Sequence, residues 1–164
     1  VKSFLIRVSL PFFNTPKIVK KEIQKPLSKK TKGSASYWSK HMVVDKKWES
    51  RSESLEYFKW RNSQYPGYIK LMPVKNLDDL DIVDYGCGPG NDLVGISEFS
   101  KPKNLYGIDV SLPALKASKE RLSLHPNNVK LIRIKENNSN IPLPDNSIDL
   151  VHSSGVLHLS LIHI

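Results

Sequence analysis

The stretch VDYGCGPGND, residues 83–92, places glycines at 86, 88 and 90, with an acid two residues before the first and another two residues after the last. LDIVDY (80–85) reads as a short strand and NDLVGISEFS (91–100) as a helix. The loop therefore turns from the carboxyl end of a strand into a helix, the place where open α/β sheets bind ligands. Glycine there lets the backbone approach a ligand with no side chain between, and the helix beyond offers free N–H groups. A dinucleotide loop has the spacing G-x-G-x-x-G and a phosphate-binding Walker loop needs G-K-[ST]; this stretch is G-x-G-x-G followed by Asn-Asp.

Outward from the loop, strand and helix signals alternate. NLYGIDV (104–110) is a strand, and SLPALKASKERLSL (111–124) a helix with a serine cap and Pro113 in its first turn. NVKLIRI (128–134) and SIDLVHSS (147–154) complete four strands. This order predicts an α/β fold: a doubly wound, mostly parallel sheet covered on its faces, with right-handed crossovers. Upstream, SRSESLEYFKWRN (50–62) opens with Ser50 and Glu53 at capping-box spacing and sets Leu55, Phe58 and Trp60 toward one side of a helix that YPGY (65–68) ends.

The 164 residues suffice for one domain plus an extension. A single cysteine, Cys87, precludes an intrachain disulfide or a cysteine-ligated metal cluster, and favours a reducing, cytoplasmic setting. No apolar run approaches the roughly 20 residues that span a bilayer. Charge is segregated: residues 1–75 hold 17 of the 25 Lys and Arg but only 5 of the 16 Asp and Glu. Residues 1–36 read as a basic flexible tail, which as a patch could meet anionic lipid, nucleic acid or an acidic partner, although its lysine-rich part, 16–36, holds no aromatics to stack on bases. Residues 37–78 carry all three tryptophans and four of the six tyrosines and read as a helical cap segment; 79–158 is the sheet domain.

VDYGCGPG, LYGIDVS and NIPLPDNSIDLVHSSGVLH, in that order, resemble the motifs of the class I S-adenosylmethionine-dependent methyltransferases, in particular the methyltransferase type 11 group, over residues 37–158. The resemblance implies a Rossmann-like fold of seven strands, of which four are counted here, and S-adenosyl-L-methionine as cofactor. It places Gly86, Cys87, Gly88, Pro89 and Gly90 against the methionine part, with Asp84 on its amino group. Asp109 would accept from both ribose hydroxyls, with Val110 beside it; a cap on the following helix is the alternative role. Where the family often has an aspartate for the adenine amino group, this chain has Asn137 and Asn138, whose carbonyl oxygens can accept the same bond or which serve as turn residues. The segment before the first strand would close over the site: Tyr57, Trp60, Arg61 and Tyr65 as pocket wall, Trp60 alternatively as packing, and Arg61 on the methionine carboxylate or in a salt bridge. Asp92 orients the loop, contacts ligand, or favours the helix start by its charge alone.

Methyl transfer from an activated sulfonium needs chiefly positioning, and a base only where the acceptor must lose a proton. His158, at the end of GVLH, is the candidate base, ahead of His152, Ser153 and Ser154; nothing points to a metal. LSLIHI (159–164) equals the translation of a sequencing-library transposon adapter, so those residues are expected to be non-native and the chain a fragment whose last strand is an exposed apolar edge. The expected activity is methylation of a small-molecule acceptor at O, N or C. Alternatives are an RNA or protein acceptor gripped by the basic tail, or a nicotinamide-dependent oxidoreductase.

Overall fold

A computed structural model of the chain describes residues 5–9, 34–135 and 140–156. Its sheet comprises β1 (Leu5–Ser9), β2 (Asp81–Tyr85), β3 (Asn104–Asp109), β4 (Val129–Arg133) and β5 (Leu150–Ser154), in the order β1-β5-β2-β3-β4 with every pair parallel. The helices are α1 (Ser34–Lys40), α2 (Arg51–Ser63), α3 (Tyr68–Leu71), α4 (Asn91–Phe99) and α5 (Leu112–Leu122). The expected α/β architecture is present, and its last four strands fall within the predicted segments.

Strand periodicity decides what meets at the loop. In β2 and β5 the register pairs Ile82 with Leu150 and Asp84 with His152, so these alternate residues share one face. Ile82 and Leu150 join the main core with Phe58 of α2, Leu93, Val94 and Ile96 of α4, and Leu115 and Leu122 of α5. Val83 and Val151 point the other way, to a smaller cluster around Ile108 and Ile134. Among the described residues α2, α4 and α5 all cover the first face. The second face, expected to be covered as well, has an open hollow of about 590 Å³ beside Val83 and Val151, bordered by residues 140–148.

Local signals hold where they are short-range. Ser50 caps α2 by accepting from the Glu53 N–H at 3.2 Å, and Ser111 caps α5 by accepting from Ala114 at 3.3 Å. The α5 stripe of Ala114, Leu115, Ser118, Arg121 and Leu122 is buried at helical spacing. Two expectations fail for non-local reasons. Part of the tail expected over 1–36 forms β1, whose backbone pairs with all of β5 from Leu5–Leu150 to Ser9–Ser154, and α1 straddles the boundary placed at residue 36. β5 is thus flanked on both sides and is not an exposed edge. Trp60 is 58% exposed and lies outside the core, touching only the Tyr57 ring at 5.5 Å among the ring contacts of the described residues, because the buried face of α2 runs through Ser54, Phe58 and Asn62 at steps of four. No helix among the described residues is long and apolar enough to cross a membrane.

Gly95 allows α4 to lie close against α2. A Cβ there would come within 2.3 Å of Phe58 Cζ and 3.1 Å of Val74 Cγ1. Gly95→Ala is expected to lower stability by about 1–3 kcal/mol through overpacking, read as a lower urea midpoint at unchanged slope. Adding Phe58→Leu should cost less than the sum of the two single changes, since the smaller side chain relieves the clash.

Candidate functional site

The glycine loop is pinned at its start and open at its middle. The N–H groups of Gly86 and Cys87 both donate to the Ile108 carbonyl, at 2.8 and 3.0 Å, fastening the turn to the end of β3. Gly86 has φ +77° and a Cβ there would lie 2.3 Å from Val156, so both conformation and space require glycine. Gly88 has φ +52° and faces empty space within 4 Å. Its N–H donates to Asp109 Oδ2 at 2.8 Å, while Asp109 Oδ1 accepts from the Ser111 N–H at 2.7 Å. Asp109 thus braces the loop and the turn that leads into α5, while the cap weighed for it from sequence is supplied by Ser111. A carboxylate can accept about four hydrogen bonds, so two taken here leave capacity for a ligand's hydroxyls.

The two acids that bracket the loop have opposite environments. Asp92, in the first turn of α4, is 6% exposed and fully engaged. Oδ1 accepts from Arg61 Nη1 at 2.9 Å, and Oδ2 accepts from the Tyr68 hydroxyl at 2.8 Å and from His152 Nε2 at 3.1 Å. Burial works against its charge, but the His152 bond, the Arg61 charge and the Tyr68 bond together hold its pKa down to about 2. Burial likewise opposes a charged His152, and the Asp92 bond with the Asp84 and Asp92 charges outweighs it, moving the imidazole upward. Burial and the Asp92 charge also raise the Tyr68 phenol, which stays protonated.

Asp84 is 3% exposed, and no described residue hydrogen-bonds its carboxylate. Burial pushes its pKa up to about 7; the His152 charge opposes this while Asp92 and Asp109 add to it. The carboxylate borders a cleft of about 100 Å³ floored by Gly86, Cys87, Gly88 and Pro89 and closed at the sides by Val43, Val44, Tyr57, Arg61, Asn91 and Ser154. One wall of it is braced from behind by Arg121 of α5, which is 1% exposed. Arg121 donates to Ser54 Oγ at 2.7 Å, to the Ser54 carbonyl at 2.9 Å and to Asn91 Oδ1 at 3.3 Å, and its guanidinium lies 4.3 Å over the Trp48 ring. Its nearest partners are neutral, and burial lowers its pKa to about 10.

Of the residues expected from sequence, Asp84, Gly86, Cys87, Gly88, Pro89 and Arg61 line this cleft. Gly90 does not border it; a Cβ there would meet Ser118 Oγ at 2.5 Å, so its hydrogen atom lets α4 and α5 close up. Val110 packs with the cluster on the opposite face. Tyr57 is a wall residue as expected, whereas Trp60 and Tyr65 lie outside, 58% and 53% exposed. Arg61 forms the salt bridge weighed from sequence, although with a buried carboxylate and not at the surface. Asn137, Asn138, His158 and residues 159–164 lie outside the described residues. Sequence reasoning passed over Tyr68 and Arg121 and ranked His152 low; an arginine on the buried stripe of α5 was the one local sign for Arg121.

A family model described as Methyltransferase domain matches residues 82–163, half of the chain. A Schizosaccharomyces pombe protein described as an uncharacterized methyltransferase is 29% identical over 113 residues, covering 64% of this chain and 37% of that protein. The protein named probable methyltransferase ltbC, of Aspergillus luteorubrus, is 29% identical over 111 residues, covering 65% of this chain and 38% of its own. The chain thus spans less than two fifths of the length of these relatives. Among solved structures, the magnesium protoporphyrin IX methyltransferase of Synechocystis with bound SAM superposes with a TM-score of 0.48 at 15% identity, over 76% of this chain and 58% of that one. A SAM-dependent methyltransferase of Aquifex aeolicus gives 0.41 at 25% identity, over 60% and 55%.

The Asp92 cluster has a measurable acid signature. A carboxylate whose folded pKa is about 2 contributes stability that is fully present above its ordinary value near 4 and is lost as pH falls through about 2. Asp92→Asn should cost about 3–5 kcal/mol at neutral pH, because it leaves Arg61 and His152 without their counter-charge. It should also flatten the fall of stability between about pH 4 and 2, measured by urea unfolding at stepped pH.

Proposed function

The chain belongs to the methyltransferase domain family, and from that premise we propose that it binds S-adenosyl-L-methionine in the cleft above the glycine loop and methylates a small-molecule acceptor. Asp84 carries the proposal: a buried carboxylate without a hydrogen bond from any described residue, at the edge of a cleft that Gly88 leaves open. A cationic donor is the ligand group that such an acid accommodates, since an uncompensated buried charge is otherwise neutralised by protonation. The cofactor's α-ammonium supplies that cation, and its ribose diol suits the remaining lone pairs of Asp109.

Bound there, the cofactor supplies a methyl group already activated by the sulfonium to which it is attached, for in-line displacement. The protein's part is placement. Asp84 takes the ammonium, Gly86 to Pro89 form a floor that no side chain obstructs, and Asp109 holds the loop while accepting from the diol. Tyr57 and Val44 narrow the cleft from the cap segment and Arg121 stiffens that wall through Ser54 and Asn91. Asn137 and Asn138 are assigned as acceptors for the adenine amino group, and His158 as the base for an acceptor that must lose a proton. A small acceptor is favoured over RNA because the cleft wall contributed by the cap segment combines apolar Val43 and Val44 with Tyr57.

Calorimetric titration with S-adenosylhomocysteine, which keeps the ammonium and the diol, tests this. Binding is expected, with none to NAD; NAD binding in the absence of S-adenosylhomocysteine binding overturns the proposal. Because free Asp84 titrates at about 7 and the ligand needs it ionised, affinity should rise as pH rises from about 6 to 8, with proton release on binding below 7. Asp84→Asn should weaken binding at pH 8 by about tenfold or more and abolish the pH dependence.

A further inference from the structure

Ser154 ends β5 and borders the cleft, two residues beyond His152 and therefore on the sheet face that also carries Asp84. Its Oγ lies 2.9 Å from the Tyr68 hydroxyl oxygen, which in turn lies 2.8 Å from Asp92 Oδ2. A phenol has one hydrogen to donate. Asp92, ionised between Arg61 and His152, can only accept, so the Tyr68 hydrogen is committed to it. The 2.9 Å contact must then run the other way, with the serine hydroxyl donating to Tyr68. Ser154 is left with lone pairs alone to present to the cleft.

Two acceptors thus share one side of the cleft, the Ser154 hydroxyl oxygen and the Asp84 carboxylate, and neither has a hydrogen to offer once Asp84 is ionised. A hydrogen-bond acceptor on the ligand would find only lone pairs there, whereas a group with several N–H donors and a positive charge satisfies both. We propose that Ser154 is a second binding residue for the ligand's α-ammonium, with its hydroxyl turned by the Tyr68–Asp92 chain so that only its lone pairs face the ligand. This inference rests on the cofactor assignment made above. It gives the buried Asp92 cluster a function beyond stability: the ion pair with Arg61 and His152 sets a hydrogen-bond direction that is read at the cleft, one residue pair away.

The decisive comparison is between S-adenosylhomocysteine and 5′-methylthioadenosine, which shares the nucleoside and thioether but has no amino acid portion. Ser154→Ala should weaken S-adenosylhomocysteine about tenfold in calorimetry at pH 8 and leave 5′-methylthioadenosine unchanged. Ser154→Thr, which keeps the hydroxyl, should retain most of the affinity. Tyr68→Phe frees the serine hydrogen to point into the cleft and should weaken S-adenosylhomocysteine alone, and the double variant Ser154→Ala/Tyr68→Phe should be no weaker than Ser154→Ala. Equal S-adenosylhomocysteine affinity in Ser154→Ala and the unmodified protein overturns the proposal, as does a parallel loss for both ligands, which would mark a general distortion. Should Ser154→Ala not fold, Tyr68→Phe decides by the same two criteria. If the unmodified protein binds neither ligand, the cofactor assignment itself falls and takes this inference with it.

Discussion

The buried ion pair at Asp92 is the constraint on which the site depends. One carboxylate in the first turn of α4 gathers a guanidinium from α2, a phenol from α3 and an imidazole from β5. None of these donors is near Asp92 in sequence, and each belongs to a different element, so satisfying the acid docks the cap segment onto the sheet. Removing a carboxylate from water costs several kcal/mol, and only this complete set of donors offsets it. The geometry of the cap is consequently tied to the start of the helix that follows the glycine loop.

That arrangement also explains why two acids eight positions apart behave so differently. Asp92 collects three donors and stays ionised far into acid. Asp84 sits in register with His152 on the neighbouring strand, yet the imidazole's Nε2 is spent on Asp92. Among the described residues none hydrogen-bonds Asp84, and burial shifts it toward neutrality of charge at physiological pH. The same fold thus satisfies one acid completely and leaves its neighbour buried at the edge of a cleft. Arg121 mirrors this on the other wall: a buried cation braced by a hydroxyl, a carbonyl, an amide and a ring, holding α5, α2 and α4 together without a carboxylate.

Much of this was legible in short-range signals. The glycine loop was placed correctly between strand and helix because glycine spacing and the change from period-two to helical patterning are local. Ser50 and Ser111 declared their caps through side chains that reach only three residues onward. The misreadings share one cause. Trp60 was read as pocket wall or as packing, but the face of α2 that is buried was chosen by Phe58 meeting Gly95 across the interface. Leu5–Ser9 lay in a stretch whose charge and prolines suggested a tail, and its strand exists through backbone pairing to a segment some 145 residues away.

The sequence by itself determined the class of fold, the position of the glycine loop and the identity of the acids around it, because these follow from periodicities and residue chemistries readable within a window of a dozen residues. Only the tertiary structure decided which acid is consumed and which remains available. That choice depends on how many donors converge on each carboxylate in a medium where an unpaired charge is costly, and the donors to Asp92 come from positions 61, 68 and 152, brought together by sheet register and helix docking. The direction of the hydrogen bond at Ser154 is set the same way, since a hydroxyl can point either way until a buried ionised neighbour fixes it.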